Sequence, residues 1–357
     1  PRHARGRRRA AARSLGVVAA ACLLAAGTAA AVAGLLHSRS AAGLPGPQPA
    51  AAARSLPAVT GPAIALAGAR RLVAAFLAAD NAANQARSDT GLAAIEGGSS
   101  YLMHAGTYQS RRVSDPSNLS YQPLRFTVAG YYIPVLTGFP RWFAVAGRWL
   151  GTEHPATAPA WLVYRQASPG ARWLEIFKPY ITAAAPHLPP AAGPGAPGGG
   201  YATAVSPGTA AALAAAPGSL PAATAASLDR GPPYVPPGLG GLLDERAQVS
   251  WRARLPAGST VTDRHRPAGN GVYALRTAGG GALVFCDLSA SLTLAAPPGR
   301  TMRLDIPGYY SPARPVSSAT VPYVDQVAIY EPPAGAAAPP QLIADASGTA
   351  VTQPGPG

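Results

Sequence analysis

The residue types best suited to acid–base or metal chemistry are scattered along this chain. Its six histidines show no metal-ligand spacing. Asp263 and His265 lie two residues apart, so on a strand both would face one side and form an acid–base pair. A solvated loop edge is the competing interpretation. His104 falls on a predicted helix, where a structural histidine is more typical than a ligand. The sequence therefore predicts no catalytic residue, no metal ligand and no cofactor.

Three carboxylates precede the predicted sheet: Asp80, Asp89 and Glu96. In an apolar cavity such a group can act as a general base, because desolvation raises its pKa. Simpler roles compete with that one. Asp89 is predicted to cap a short helix, Glu96 to sit at its end, and Asp80 to face solvent. These roles favour a protein that is not an enzyme.

Sequence motifs for nucleotide, zinc or hydrolase chemistry are missing. The sole lysine, Lys178, follows Phe177, so the chain has no phosphate-binding loop of the Gly-x-x-x-x-Gly-Lys type. His-Glu-x-x-His, Cys-x-x-Cys and Gly-x-Ser-x-Gly are also absent. The two cysteines, Cys22 and Cys286, are not expected to pair.

Four of the five tryptophans fall in one predicted sheet: Trp142, Trp149, Trp161 and Trp173. Aromatic rings at such positions usually build the core of the sheet. The alternative is that some of them line a pocket for an apolar ligand or form a contact surface.

The net charge of +14 does not predict nucleic-acid binding. Six arginines precede Ser14, and the remaining excess is spread thinly over the chain. A nucleic-acid interface needs basic residues clustered on one face. We therefore expect no nucleic-acid partner.

Residues 14–36 form an apolar run, and no charged residue lies between Arg13 and Arg39. As a helix, this run would span about 34 Å, which is enough to cross a bilayer core. The basic residues before it favour a cytoplasmic N-terminus. The sequence thus predicts a transmembrane helix with its ends at Ser14 and Leu36. We expect a single-pass bacterial membrane protein whose bulk is extracytoplasmic.

Two other interpretations of the N-terminus stay open. The run also fits a cleaved signal peptide, with Ala29, Ala30 and Ala31 as a small-residue cleavage site. Lipidation at Cys22 is the third. All of them place the C-terminal bulk outside the cytoplasm.

Breaks rich in proline and glycine divide the exported part. The predicted organisation is a basic tail (1–13), the membrane helix (14–36), a flexible linker (37–61), a first α+β unit (62–183), a Pro/Gly linker (184–200), a second α+β unit (201–350) and a tail (351–357).

Each predicted unit begins with helices and continues as an antiparallel meander. Val73 and Phe76 share one face of the first helix, and Ser168-Pro169-Gly170 predicts a hairpin turn. In the second unit, alanine-rich residues 209–216 predict a helix, and another is expected within residues 239–252. Gly279-Gly280-Gly281 predicts a further hairpin. The fold class is α+β.

Several short motifs resemble an actinobacterial family of exported proteins of unknown function. They are Asn81-x-x-Asn84, Asp89, Ile95–Gly98, Phe139–Phe143, Tyr273–Thr277 and Gly280–Phe285. The order of helices and strands resembles the cone-shaped NTF2-like or cystatin-like folds. Such folds host enzymes, ligand carriers and assembly modules, so the resemblance implies no particular activity.

The leading hypothesis is a membrane-anchored protein that binds envelope partners or a small apolar ligand without catalysis. One alternative is an exported enzyme with a cone-shaped NTF2-like active site. Another is a component of a secretion or conjugation assembly.

Overall fold

The computed structural model describes residues 60–119, 121–150, 158–181, 201–210, 212–230 and 255–351. The predicted membrane helix from Ser14 to Leu36 and the predicted Pro/Gly linker 184–200 lie outside these residues. None of the described helices is long and apolar enough to cross a membrane.

Helices come first in the described chain, and strands follow. The first half runs in the order β1 (Thr60–Pro62), α1 (Leu66–Ala86), α2 (Asp89–Ala93), α3 (Gly98–Ser114), β2 (Arg125–Thr137), β3 (Arg141–Leu150), β4 (Ala158–Gln166), β5 (Trp173–Phe177) and β6 (Tyr180–Ile181). The second half runs in the order β7 (Tyr201–Ala202), β8 (Ala204–Val205), α4 (Leu220–Arg230), β9 (Thr260–Pro267), β10 (Tyr273–Arg276), β11 (Ala282–Ala295), β12 (Ser318–Glu331) and β13 (Gln341–Thr349).

Helix α1 forms where the sequence predicts it, with Val73 and Phe76 buried on one face. It ends at Arg87, which adopts a left-handed conformation. Helix α2 is capped by Ser88, whose hydroxyl accepts a hydrogen bond from the backbone N–H of Gly91 at 3.0 Å. The predicted cap, Asp89, is instead the first residue of the helix.

The strands of both halves belong to one sheet. Strands β2, β3 and β4 form an antiparallel meander, and β5 and β6 pair in turn along the free edge of β4. Strand β6 also pairs with β13, which begins the second meander of β13, β12, β11 and β10. Strand β9 pairs with the far end of β11. The two-residue strand β6 therefore joins the two meanders edge to edge.

A second short connection closes the sheet. Strand β7 pairs with β2 in parallel, through Ile133 and Tyr201, and β8 pairs with β10 through Val205 and Ala274. Because β7 and β8 are separated by a single residue, they link the outer strands of the two meanders. The sheet is thus closed on itself as a barrel, and the edges that two separate sheets would leave open are paired.

Large aromatic side chains fill the barrel interior. Along β3 and β4 alternate residues point inward, including Trp142 and Trp161. Their ring centroids lie 5.3 Å from Tyr273 and 5.5 Å from Phe285, which belong to the opposite wall. These contacts occupy the space between the two meanders.

Helix α1 covers the outer face of the first meander. The residues between the inward-pointing ones, such as Phe143 and Tyr164, are completely buried beneath it. The two rings stack at 5.1 Å, and Phe76 of α1 meets Tyr164 edge-on at 5.4 Å. A continuous apolar layer thus fixes α1 to the barrel.

Helix α3 lies across β13 at close range. A Cβ added to Gly106 would lie 2.1 Å from the carbonyl oxygen of Thr349. Any side chain at this position would force the helix away from the strand. Glycine is therefore needed here for the approach of the two backbones.

The predicted fold class, a transmembrane helix followed by two separate helix-plus-sheet units of NTF2-like or cystatin-like type, is wrong in its two separate units, while its helix from Ser14 to Leu36 lies outside the described residues. Strands from both predicted units share one sheet, and the described residues contain no helix that could span a membrane. The pairings through β6 and β8 are only two residues long, so they leave no periodicity in the sequence. The linker that the sequence suggested, 184–200, stays a prediction.

Two local predictions are confirmed and one is wrong. Ser168-Pro169-Gly170 connects β4 and β5, and Gly279-Gly280-Gly281 connects β10 and β11, as hairpins. The helix expected within 209–216 is not present in the described part of that range. Instead, α4 begins at Leu220, after a 3₁₀ turn that Pro217 opens.

Because the barrel is one structure, we expect it to unfold in a single transition. Leu162→Ala in the first meander and Leu283→Ala in the second should each lower its free energy of unfolding by about 2–5 kcal/mol. Leu162 is 0% and Leu283 2% exposed. Leu119→Ala, at a position 85% exposed, is the matched control and should change it by less than about 0.5 kcal/mol. Two transitions in chemical denaturation, each affected by only one variant, would contradict the closed sheet.

Candidate functional site

Charged side chains from distant parts of the chain meet where the helices pack against the barrel. Asp80 lies on α1, Glu96 follows α2, His104 lies on α3, and Glu175 and Lys178 lie on and just after β5. We call these five residues the Lys178 cluster. It lies beneath the helices, and the side chains of Glu96 and Asp80 are 0% and 4% exposed.

Backbone hydrogen bonds fix the position of Glu96. The N–H of Gly97 donates to the carbonyl oxygen of Glu175 at 2.9 Å, and the N–H of Glu175 donates to the carbonyl oxygen of Ile95 at 2.9 Å. The turn between α2 and α3 is therefore attached to β5 like a short extra strand. This attachment holds the Glu96 carboxylate toward Lys178.

The centre of the cluster is a triangle of three polar atoms. The Nζ of Lys178 lies 2.8 Å from Oε1 of Glu96 and 3.1 Å from Nδ1 of His104, and Nδ1 lies 2.9 Å from the same Oε1. The ammonium donates a hydrogen bond to Oε1 of Glu96. It thus compensates the Glu96 charge inside the fold, where an unpaired carboxylate would be very unfavourable.

The other ring nitrogen of His104 is held by α1. Its Nε2 lies 2.6 Å from Oδ1 of Asn84, which also accepts a hydrogen bond from the hydroxyl of Tyr108 at 3.0 Å. An amide oxygen only accepts, so Nε2 is the donor. Nδ1 then faces the centre of the cluster, 2.9 Å from Oε1 of Glu96, and presents a lone pair there only when the ring is neutral.

A second polar network connects the cluster to β12. Gln326 donates to the hydroxyls of Ser99 and Ser100, at 2.9 Å each, and accepts a hydrogen bond from the backbone N–H of Lys178 at 2.8 Å. Ser100 donates in turn to Oε1 of Glu175 at 2.9 Å. Helix α3, β5 and β12 are therefore linked through one set of buried hydrogen bonds.

Burial and the ammonium shift the carboxyl pKa values in different directions. Burial acts to raise the pKa of Glu96, but the charges of Lys178 and His104 outweigh it and lower the pKa to about 2. Burial raises the pKa of Glu175 to about 8 against the opposing effect of Lys178. Burial likewise raises the pKa of Asp80. The pKa of Lys178 is itself raised, because the nearby carboxylates outweigh its burial.

The cluster contains one group of possible metal ligands. One oxygen each of Asp80 and Glu96 and one nitrogen of His104 lie within 4.8 Å of one another. This group is not predictable from the sequence, because its members are separated along the chain and follow no metal-binding motif. It becomes visible only once α1, α3 and the α2–α3 turn are packed together.

Asp263 and His265 both face inward on β9, as residues two apart on a strand should. The interpretation of this pair as a solvated loop edge is wrong, since the residues are 7% and 8% exposed. Nδ1 of His265 lies 2.9 Å from Asp229 of α4, and the hydroxyl of Tyr323 donates to Asp263. The imidazole is completely buried, so it serves to attach α4 to the sheet.

The four tryptophans selected from the sequence lie in the packed interior or under the helices. Trp142, Trp149 and Trp161 are 6%, 3% and 5% exposed, and Trp173 is half-buried against Phe143. In the described structure they contact other aromatic rings. That any of them lines a ligand pocket stays a prediction.

The fold and the site define a class of protein: a closed antiparallel barrel with helices on its outer surface and an internal ion-pair network at their junction. The chain belongs to the family described as Domain of unknown function (DUF8094), whose model matches residues 60–352. This match confirms a family of unknown function, while the actinobacterial source and the export of its members stay predictions. No curated protein and no solved structure matches the chain.

Removing the ammonium should destabilise the fold strongly. In Lys178→Met the Glu96 carboxylate is left buried without its cation, so the free energy of unfolding should fall by about 3–5 kcal/mol at pH 7. Arg112→Met is the matched control, because it breaks the ion pair with Asp89, in which both side chains are more than 40% exposed. There the loss should be about 1 kcal/mol or less. Equal losses in urea denaturation would show that the Lys178 pair is not buried as described.

The raised pKa of Glu175 should make stability depend on pH. A carboxyl whose pKa is higher in the folded state contributes stability below its unfolded pKa and loses it as pH rises through the folded value. Stability should therefore fall between about pH 4.5 and pH 8, the range that the shift covers. The Glu175 contribution is on the order of 3–5 kcal/mol over that range.

Glu175→Gln should remove this contribution, since an amide mimics the protonated acid. The variant should match the wild type near pH 4.5 and be more stable at pH 8. Asp89→Asn, at a half-exposed carboxyl that pairs with Arg112, serves as the control and should follow the wild-type profile. Parallel profiles of Glu175→Gln and wild type, measured by urea denaturation, would contradict the buried, protonated Glu175.

Proposed function

We propose that the protein is a non-catalytic binding module on the outer side of the cell membrane that holds an acidic envelope protein. The location is inferred from the apolar run 14–36 and its basic flank, outside the described residues. The partner is inferred from the described surface. The observation that carries this proposal is an exposed apolar patch beside positive charge, on a barrel whose interior is filled.

The patch lies at the end of β2. Its members, Val135, Phe139 and Tyr201, are 44%, 39% and 43% exposed. Tyr201 pairs with Ile133, two residues from Val135, so the two side chains share a face of the sheet. Phe139 lies in the turn that follows the strand. We call these three residues the β2 patch.

Arginines flank the β2 patch. The guanidinium of Arg141 lies over the ring of Phe139, 5.5 Å from its centroid. Arg70 is exposed on α1, and its charge opposes the burial that raises the pKa of Tyr131, which places it beside β2. An aromatic and arginine-rich surface is typical of protein–protein interfaces.

No acidic residue described between 60 and 181 forms an ion pair with Arg70. Among the described residues from 60 to 181, Asp80, Glu96 and Glu175 are buried, and Asp89 and Asp115 pair with Arg112 and Arg87. The described side chains of this half thus leave the charge of Arg70 beside the β2 patch uncompensated. Charge complementarity favours an acidic partner.

The filled interior argues against the small apolar ligand. Trp142, Trp161, Tyr273 and Phe285 meet at the centre of the barrel at ring-contact distances. A carrier needs a cavity where these rings lie. Binding on the outer surface is therefore the better-supported hypothesis.

Native mass spectrometry of the full chain, purified from its own type of host, tests this proposal. We expect a complex with one acidic protein, whose affinity falls at least tenfold in Arg70→Glu and in Tyr201→Ser. Arg300→Glu and Leu119→Ser are matched exposed controls on other surfaces and should bind normally. A bound small molecule, or a protein complex that both patch variants retain at wild-type affinity, would contradict the proposal.

A further inference from the structure

The Lys178 cluster has the geometry of a cation site. Three groups that bind metals in proteins, two carboxylates and one imidazole, converge with their ligand atoms within 4.8 Å of one another. A cation already lies among them, namely the ammonium of Lys178, which contacts Glu96 and His104 at 2.8 Å and 3.1 Å. The position is thus built to hold positive charge.

Buried oxygen atoms at this position lack hydrogen-bond partners. Oδ1 of Asp80 has none although the residue is 3% exposed, and it points into the cluster, 3.8 Å from Nδ1 of His104. Oε2 of Glu96 also lacks a hydrogen-bond partner. Buried carboxylate oxygens without partners are costly, so a single ammonium does not satisfy the ligand set.

The surroundings of His104 match those of a metal ligand. A metal-binding histidine usually donates its second ring N–H to a nearby oxygen, which fixes the ring and leaves the other lone pair for the ion. Asn84 accepts that hydrogen bond here, at 2.6 Å, and Tyr108 holds Asn84 in place. Nδ1 therefore faces the place where Asp80 and Glu96 converge, and a metal ion there would take the lone pair of the neutral ring.

The residue that supplies the cation at this position is a lysine and not an arginine. Of 29 basic residues, excluding histidine, Lys178 is the only lysine. A lysine carries a compact charge on a flexible stem and is strongly hydrated, whereas a planar guanidinium holds fixed, forked contacts. The Lys178 side chain is 17% exposed, so part of it reaches the surface of the protein.

We propose that Asp80, Glu96 and His104 form a binding site for one divalent transition-metal ion, and that the ammonium of Lys178 occupies this site only when the metal is absent. One nitrogen and two carboxylate ligands suit ions such as Zn²⁺, Co²⁺ or Mn²⁺. Binding exchanges one cation for another, so the buried carboxylates keep their compensation while the lysine moves to solvent.

The unique lysine provides a direct test. The full chain, freed of metal with a chelator, is treated with an amine-reactive acylating reagent with and without Zn²⁺, and modification of Lys178 is measured by peptide mass spectrometry relative to the α-amine. We expect Zn²⁺ to raise Lys178 labelling at least tenfold. In Asp80→Asn it should have no such effect, and Asp89→Asn should respond as the wild type does.

Calorimetry with Zn²⁺ gives an independent measurement that does not depend on labelling. Wild type should bind one equivalent, and Lys178→Met should bind at least tenfold more tightly because no ammonium competes. Zn²⁺ should also raise the thermal midpoint of Lys178→Met more than that of wild type. A visible Co²⁺ spectrum that His104→Gln loses would show that the imidazole is a ligand.

Three results would overturn the proposal. The first result is that the wild-type protein binds no Zn²⁺. This would count against the proposal even if Lys178→Met binds Zn²⁺, because the ammonium would then occupy the site permanently. The second is Zn²⁺ binding without any rise in Lys178 labelling. The third is unchanged affinity in folded Asp80→Asn and His104→Gln, which would place the metal elsewhere.

Discussion

The ion pair between Lys178 and Glu96 is the interaction on which the rest of this structure depends. Its two members come from the turn before α3 and from the residue that follows β5, so it connects the helices to the barrel at one point. Breaking such a pair costs more than forming it gains, because the remaining charge stays buried. The hydrogen bonds of His104, Asn84 and Gln326 are arranged around this pair, and they orient α1, α3 and β12 relative to one another.

Closure of the sheet determines where binding can take place. Strands β6 and β7 are two residues long, yet they complete the ring of paired strands and leave its interior to aromatic side chains. In the described structure, the rings of Trp142 and Trp161 contact Tyr273 and Phe285 across the barrel. The buried charged side chains of the Lys178 cluster lie instead in the layer between the barrel and the helices.

The local elements were predictable from sequence, but the fold class and the cluster were not. Helix α1 and the hairpins at Ser168–Gly170 and Gly279–Gly281 follow from periodicity and turn residues close in sequence. The pairing of Ile181 with Ala344 joins residues far apart through a contact too short to leave a pattern. Glu96 and Lys178 are likewise 82 residues apart. Neither residue belongs to a recognisable motif in its own segment of the sequence. Only the packing of the helices against the barrel shows that the two form an ion pair.

The composition of the chain explains why the cluster is unusual for this protein. Arginine supplies nearly all the positive charge, and its guanidinium suits exposed pairs such as Arg112 with Asp89. A buried apolar contact would attach α3 to β5 at lower cost than a set of charges whose oxygens are not all satisfied. Stability alone therefore does not account for Asp80, Glu96 and His104 at one position. A site that exchanges its internal ammonium for another cation accounts both for the unsatisfied oxygens and for the single lysine.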